Sequence, residues 1–374
     1  MPTLRIPSRV IKVLRPLQLG IPLSREAWAL QRFKLDTAVR IKQTQARVAI
    51  VGCGTIGRAI ARSIKLLDRW TVAGLYDRYP ATAQHMQSDL APQAKVYDTL
   101  EALLANREAW DILVVATTAD SHVAIAHAAL EAGVRKMLVE KPVATCLADA
   151  DALITKAQHV GAHIMVDHTR RWIPSGKGLQ RLIDSGVIGK ACAIQFTFGR
   201  SGFSMIGTHL FDFARWLFEA DIVALRAEFD EVIRPSRRGA QFVDQSGRCQ
   251  ALLANGIRVA LDLSDDLVMK HACWVIFGQG GRIEVDERLG RMRLVGYGGR
   301  IWEEGYLGGP DAFSLGVATA LLELQEGREP RCTVADGRAA LEAAIACQLS
   351  AREGGRWVTL PLKGDIYDEP FPFA

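Results

Sequence analysis

The chain has 374 residues, more than one hydrophobic core usually serves, so two domains are expected. Apolar residues make up 49% and charged residues 23%, which excludes a disordered chain, and no run approaches the roughly 20 uninterrupted apolar residues of a membrane span. Net charge is +5, but nine Lys or Arg against Glu26 and Asp36 put +7 on residues 1–46 and leave −2 elsewhere, so the charge of the body does not point to a nucleic-acid surface and none is expected.

That basic extension reads as a solvated arm packing on the body or on a subunit neighbour. Contact with an anionic membrane surface or an acidic partner is the alternative. Arg, Lys and Pro break its apolar positions, so no secretory signal is expected. The seven cysteines, Cys53, Cys146, Cys192, Cys249, Cys273, Cys332 and Cys347, form no C-x-x-C pair. Neither a metal site nor a disulfide framework is suggested, and a cytoplasmic location follows as the default.

From Arg47 the pattern is regular. RVAIVG is a short apolar strand, GCGTIG a glycine turn, and RAIARSIKLL a helix with Ile60, Ile64 and Leu67 on one face. TVAGLYD (71–77), DILVVATT (111–118), KMLVEKP and AHIMVDH read as further strands, separated by helices over ATAQHMQSDL, SHVAIAHAALEAG and LADADALITKAQHVG. Ser121 is expected to cap the second of these helices and Gly133 to close it. Such alternation predicts an α/β, doubly wound parallel sheet, the Rossmann architecture, over 47–167. After His168 come helices over PSGKGLQRLIDSG and THLFDFARWLFEA, and strands over ACAIQFTFG and around 222–230, 257–263, 272–277 and 281–285. Two helices, near 313–326 and 337–352, precede RWVTLPL. Residues 168–374 are thus expected to form an α+β domain with a large, mainly antiparallel open sheet.

Gly52, Gly54 and Gly57 form G-x-G-x-x-G between strand and helix. The spacing suits a tight turn, a close approach to a pyrophosphate and close helix–strand packing, with Thr55 and Ile56 at the helix start. Asp77, 20 residues beyond Gly57, ends the second strand, where a carboxylate would accept from a ribose diol. The plain alternative is a sharp turn and a surface cap. Arg78 could pair with a 2′-phosphate that Asp77 repels, so NAD is favoured and NADP stays open. Hydride transfer also needs a group that moves the hydroxyl proton. Lys141, in Glu140-Lys141-Pro142 at the end of the strand KMLVEKP, faces the crevice of such folds; an ordinary solvated lysine is the alternative. His209 follows Gly207-Thr208 at a helix start, where it can exchange a proton or serve structure alone. His168 reads as structural.

VAIVGCGTIGRAIA, Asp77, VVATTADSHVAIAHAALEAG, VEKPVA, DHTRRW with LIDSGVIGK, GTHLFDFARWLF and the segment from LLELQEG to WVTLPL together resemble the Gfo/Idh/MocA family of dehydrogenases over about 47–362. The resemblance implies sugar, cyclitol or nucleotide-sugar substrates and homodimers or homotetramers. It implies that Lys141 and His209 are catalytic, that Ala116, Thr117, His122, Glu140 and Lys141 contact the cofactor, and that Lys141, Arg170, Thr208 and His209 lie on the substrate side. One departure stands out: the family usually has Asp four residues before the histidine, where this chain has Met205. That favours a sugar-nucleotide keto–hydroxyl conversion with Lys141 as main proton donor over simple polyol oxidation on the inositol pattern. Two other readings are a relative that retains NAD for transient oxidation, as in the family's glycosidase branch, and a non-catalytic cofactor-binding or assembly protein.

Overall fold

The computed structural model describes residues 44–231, 236, 238–267, 272–305 and 309–373, so the expected arm lies outside them except at its last residues. Among the described residues, one compact unit holds 44–172, 313–341 and 364–373, and the other 173–312 and 342–363. None of their helices is long and apolar enough to cross a membrane.

The first unit is built on six parallel strands: β1 (Ala46–Val51), β2 (Trp70–Tyr76), β3 (Lys95–Val96), β4 (Ile112–Val115), β5 (Lys136–Val139) and β6 (His163–Val166), in the order β3-β2-β1-β4-β5-β6. The order reverses direction between β1 and β4, the switch point at which ligand crevices open in such sheets. All four β4 residues are buried, as a strand covered on both faces requires. Helices α1 (Thr55–Ile64), α2 (Pro80–Leu90), α3 (Leu100–Ala105), α4 (Ala119–Glu131) and α5 (Leu147–His159) link the strands. Ile60, Ile64 and Leu67 are buried, as their spacing predicts.

Helix α4 begins at Ala119, two residues before the expected cap. The Ser121 hydroxyl instead donates to the Thr118 carbonyl at 2.9 Å, a local bond that leaves the helix start to its neighbours. At the other end Gly133 adopts φ +86°, the left-handed conformation that ends helices.

In the second unit, α6 (Pro174–Asp184) and α7 (Thr208–Phe218) accompany a nine-stranded sheet. Its strands are β7 (Ala191–Thr197), β8 (Ile222–Phe229), β9 (Gly247–Leu253), β10 (Arg258–Asp262), β11 (Cys273–Gly278), β12 (Gly281–Asp286), β13 (Arg291–Gly296), β14 (Ile301–Gly305) and β15 (Val358–Thr359). The order is β14-β13-β12-β11-β7-β10-β9-β8-β15, antiparallel except for the β7–β10 pair. Alternate residues of β9, β11 and β12 are buried, so one face meets the core. Phe196, Trp274 and Phe213 of α7 pack there, with ring centroids 5.6–6.3 Å apart.

Strands β9, β13 and β14 go beyond the sequence pattern. β9 buries Cys249, Ala251 and Leu253 in alternation with exposed Arg248, Gln250 and Leu252, while β13 and β14 alternate with charges that pair across strands, Arg293 to Glu284 of β12 at 3.2 Å and Arg291 to Glu303 at 3.6 Å. Helices α8 (Gly309–Gln325) and α9 (Val334–Arg352) each carry residues of both units.

Candidate functional site

In the parallel sheet Val51 lies beside both Tyr76 and Val115, Val115 beside Val139, and Val139 beside Val166. The next residue of each strand therefore falls in one row: Asp77, Gly52, Ala116, Glu140 and Asp167. Backbone bonds fix it. Gly52 N donates to Tyr76 O at 2.9 Å, Ala116 N to Val51 O at 2.8 Å, Glu140 N to Val115 O at 2.9 Å and Asp167 N to Val139 O at 2.8 Å. This row lies at the carboxyl ends of the strands, where ligands bind in doubly wound sheets.

The glycine turn occupies the β1 member of the row. Gly52 has φ +93°, and a Cβ there would lie 2.5 Å from the Ala116 carbonyl oxygen. A Cβ on Gly57 would stand 2.0 Å from Gly52 O, so only glycine lets α1 start this close to the strand. Gly54, by contrast, opens on space, with nothing within 4 Å of a Cβ. Helix α1 follows with no side-chain cap and no acidic residue in its first turn; Thr55 is exposed and Ile56 half-buried. A helix N-terminus so left is suited to a phosphate. The open cradle, the uncapped helix and the neighbouring carboxylate fit a dinucleotide.

That carboxylate, Asp77, is anchored to the turn. Its Oδ2 accepts from Cys53 N at 2.8 Å and its Oδ1 from Tyr79 N at 2.9 Å. Arg78 is exposed, its guanidinium 5.0 Å from the Tyr79 ring centroid. Burial first, and Asp77 next, push the Cys53 thiol up to about 12, so it stays protonated.

Past β4, the Thr117 and Ser121 hydroxyls are hydrogen-bonded at 2.7 Å. His122 is 1% exposed, with Nδ1 2.8 Å from Pro142 O and Nε2 3.2 Å from Thr117 O. It thereby ties the β4 loop to the loop carrying Lys141. Lys141 is 7% and Glu140 6% exposed, and Lys141 N donates to Glu140 Oε2 at 3.2 Å. A lysine so buried beside carboxyls is not a solvated surface side chain.

Asp167 is the member of this group that the sequence pattern did not single out. It is 1% exposed, and burial pushes its carboxyl above the usual range. A strand-end position one residue past an apolar run was the available signal. Beyond it, Arg170 is half-buried in a short turn (Thr169–Arg171), while Arg171 is buried and holds Asp336 at 3.0 Å, a structural role.

In the other unit His209 is the second residue of α7 and half-buried. The helix is entered through a wide turn (Phe203–Gly207), and Thr208 Oγ1 closes back on Ser204 O at 2.8 Å. Asp244, from a distant loop, accepts from Ser204 N at 2.8 Å and Met205 N at 2.9 Å. The position occupied by Met205 thus meets a carboxylate through its backbone. Nothing local in sequence links 244 to 205.

A parallel sheet with this glycine turn, strand-end carboxylate and buried lysine defines a dinucleotide-binding oxidoreductase. Residues 46–168 match the oxidoreductase family with NAD-binding Rossmann fold, GFO/IDH/MocA, and residues 177–284 match the GFO/IDH/MocA C-terminal domain. The chain belongs to this family of NAD-binding oxidoreductases. It is 24% identical over 335 residues to the inositol 2-dehydrogenase of Paracoccus denitrificans, covering 84% of this chain and 97% of that one. It is 29% identical over 205 residues to the D-apiose dehydrogenase of Paraburkholderia graminis, covering 49% and 52%. A solved oxidoreductase from Agrobacterium radiobacter shares the fold with a TM-score of 0.72 at 22% identity, over 84% of this chain and 98% of that one.

Proposed function

We propose that the protein interconverts a hydroxyl and a carbonyl on a sugar, nucleotide sugar or cyclitol, with Lys141 moving the hydroxyl proton and His209 acting as a second proton-exchanging group. The observation that carries this reading is Lys141 itself, buried directly after Glu140 of the row of strand ends that also holds Gly52 and Asp77. NAD, when bound, supplies the hydride acceptor or donor. The chain's own residues do the rest. Asp77 takes the ribose diol, Gly52, Gly54, Thr55, Ile56 and Gly57 leave room and N–H groups for the phosphates, and Arg78 flanks them. Ala116, Thr117, His122 and Glu140 hold the loops beside the cofactor path. Arg170 and Thr208 lie on the substrate side.

In this reading residues 47–167 hold the dinucleotide and residues 168–374 the substrate and subunit contacts. Homodimers or homotetramers belong to this reading as the assembly that the family resemblance implies. The inositol and apiose named for the relatives support polyhydroxylated substrates. A cytoplasmic place accords with cysteines that form no disulfide among the described residues. The deciding experiment is a cofactor-reduction screen of free sugars, nucleotide sugars and cyclitols with NAD and NADP. Turnover confined to acids or aldehydes without a polyol would overturn the substrate class.

A further inference from the structure

Glu140, Lys141, Asp167 and Thr169 are all buried at the ends of β5 and β6. A buried carboxylate is strongly disfavoured unless its oxygens find donors. Asp167 Oδ1 accepts from the Thr169 hydroxyl at 2.8 Å, whereas Oδ2, also buried, meets no N–H or hydroxyl donor among the described residues. The side chain within hydrogen-bonding reach is another carboxyl, that of Glu140. A carboxyl donates only when protonated. One proton held between the two satisfies Oδ2 and removes one of two adjacent negative charges, and the charge of Lys141 balances the other.

We propose that Asp167 and Glu140 form a carboxyl pair that holds one proton at neutral pH and exchanges protons with Lys141, a role that rests on Lys141 being the proton carrier of the reaction. Asp167 is a positioning residue that acts through Lys141. In the exchange a Lys141 N–H bond breaks, its electron pair stays on nitrogen, and an O–H bond forms on the carboxylate oxygen. No electron changes owner and no co-reactant enters. The charged groups acting on Asp167 are Glu140 and Lys141 from the end of β5; Thr169 and His168 flank it on its own segment.

Infrared spectroscopy of the full-length protein without substrate tests this. At neutral pH the wild type is expected to show the carbonyl band of an un-ionised carboxylic acid, shifted by carboxyl 13C labelling and lost in Asp167→Asn. A wild-type spectrum without that band overturns the pair, whether or not the variant folds. Acylation of Lys141 by acetic anhydride, followed by mass spectrometry across pH, then tests the coupling. Its rate is expected to inflect at the pH where the band disappears, and that inflection is expected to be absent in Asp167→Asn. A smooth wild-type curve there overturns the exchange. Undiminished turnover by Lys141→Met would overturn the role of Lys141 in the reaction even where the band is present, so the two failures are told apart.

Discussion

The amide nitrogen of Asp167 donates to the carbonyl oxygen of Val139 at 2.8 Å, which sets Asp167 beside Glu140 and next to the lysine that follows it. Backbone pairing alone thus brings two carboxyls and an amine together from strands more than twenty residues apart in sequence. The side chains then settle their charges within that imposed neighbourhood.

Lys141→Met and His209→Ala are each expected to lower turnover by about a hundredfold or more, the usual scale of a positioned acid–base group. Cofactor affinity is expected to persist in both, because Gly52, Gly57 and Asp77 are untouched. Steady-state rates beside NAD titrations check this; wild-type turnover in either variant removes that residue from the mechanism.

Asp77→Ser removes the charge that opposes a 2′-phosphate and leaves Arg78 in place. The NAD-to-NADP affinity ratio is expected to move towards NADP by about tenfold, on the order of 1.4 kcal/mol. Intrinsic-fluorescence titration with both cofactors decides, and an unchanged ratio would mean that Asp77 serves only the turn through Cys53 and Tyr79.

Asp244→Ala strips two backbone donors, at Ser204 and Met205, of their acceptor just ahead of His209. Each lost bond to a charged acceptor is worth about 1.5–3 kcal/mol. Reduced turnover with unchanged NAD affinity is expected, together with a lower melting temperature. Full activity at an unchanged melting temperature would show that the turn holds without the carboxylate.

The raised Asp167 carboxyl has a consequence for stability, because folding favours its protonated form. That contribution is full below its unfolded value of about 3.9 and is lost as pH rises through the raised folded value. Asp167→Asn cannot ionise, so its urea midpoint is expected to gain on the wild type as pH increases across that window. A gap between the two proteins that stays constant with pH contradicts this.

The glycine turn, Asp77 and Lys141 were legible in the sequence because each depends on spacing within one strand–turn unit. Asp167 was not, since its partnership arises only from the register that aligns Val166 with Val139. Asp244 was hidden for a different cause: a loop side chain bonding to a remote backbone turn leaves no periodic trace. Strands β13 and β14 were masked by Arg291, Arg293 and Glu303, whose charges look like solvent-facing loops until cross-strand pairs absorb them. Ser121 illustrates the limit of cap signals, because its hydroxyl had a nearer carbonyl to satisfy.

The row of strand ends also acts as a ruler. Asp77 closes β2 and Lys141 follows β5, three interstrand steps apart, or about 14 Å at the usual spacing of parallel neighbours. A ligand must be that long to touch both. A mononucleotide resting on the glycine turn would occupy one end and leave the amine untouched, so selection for a two-part cofactor is written into the width of the sheet as well as into its side chains.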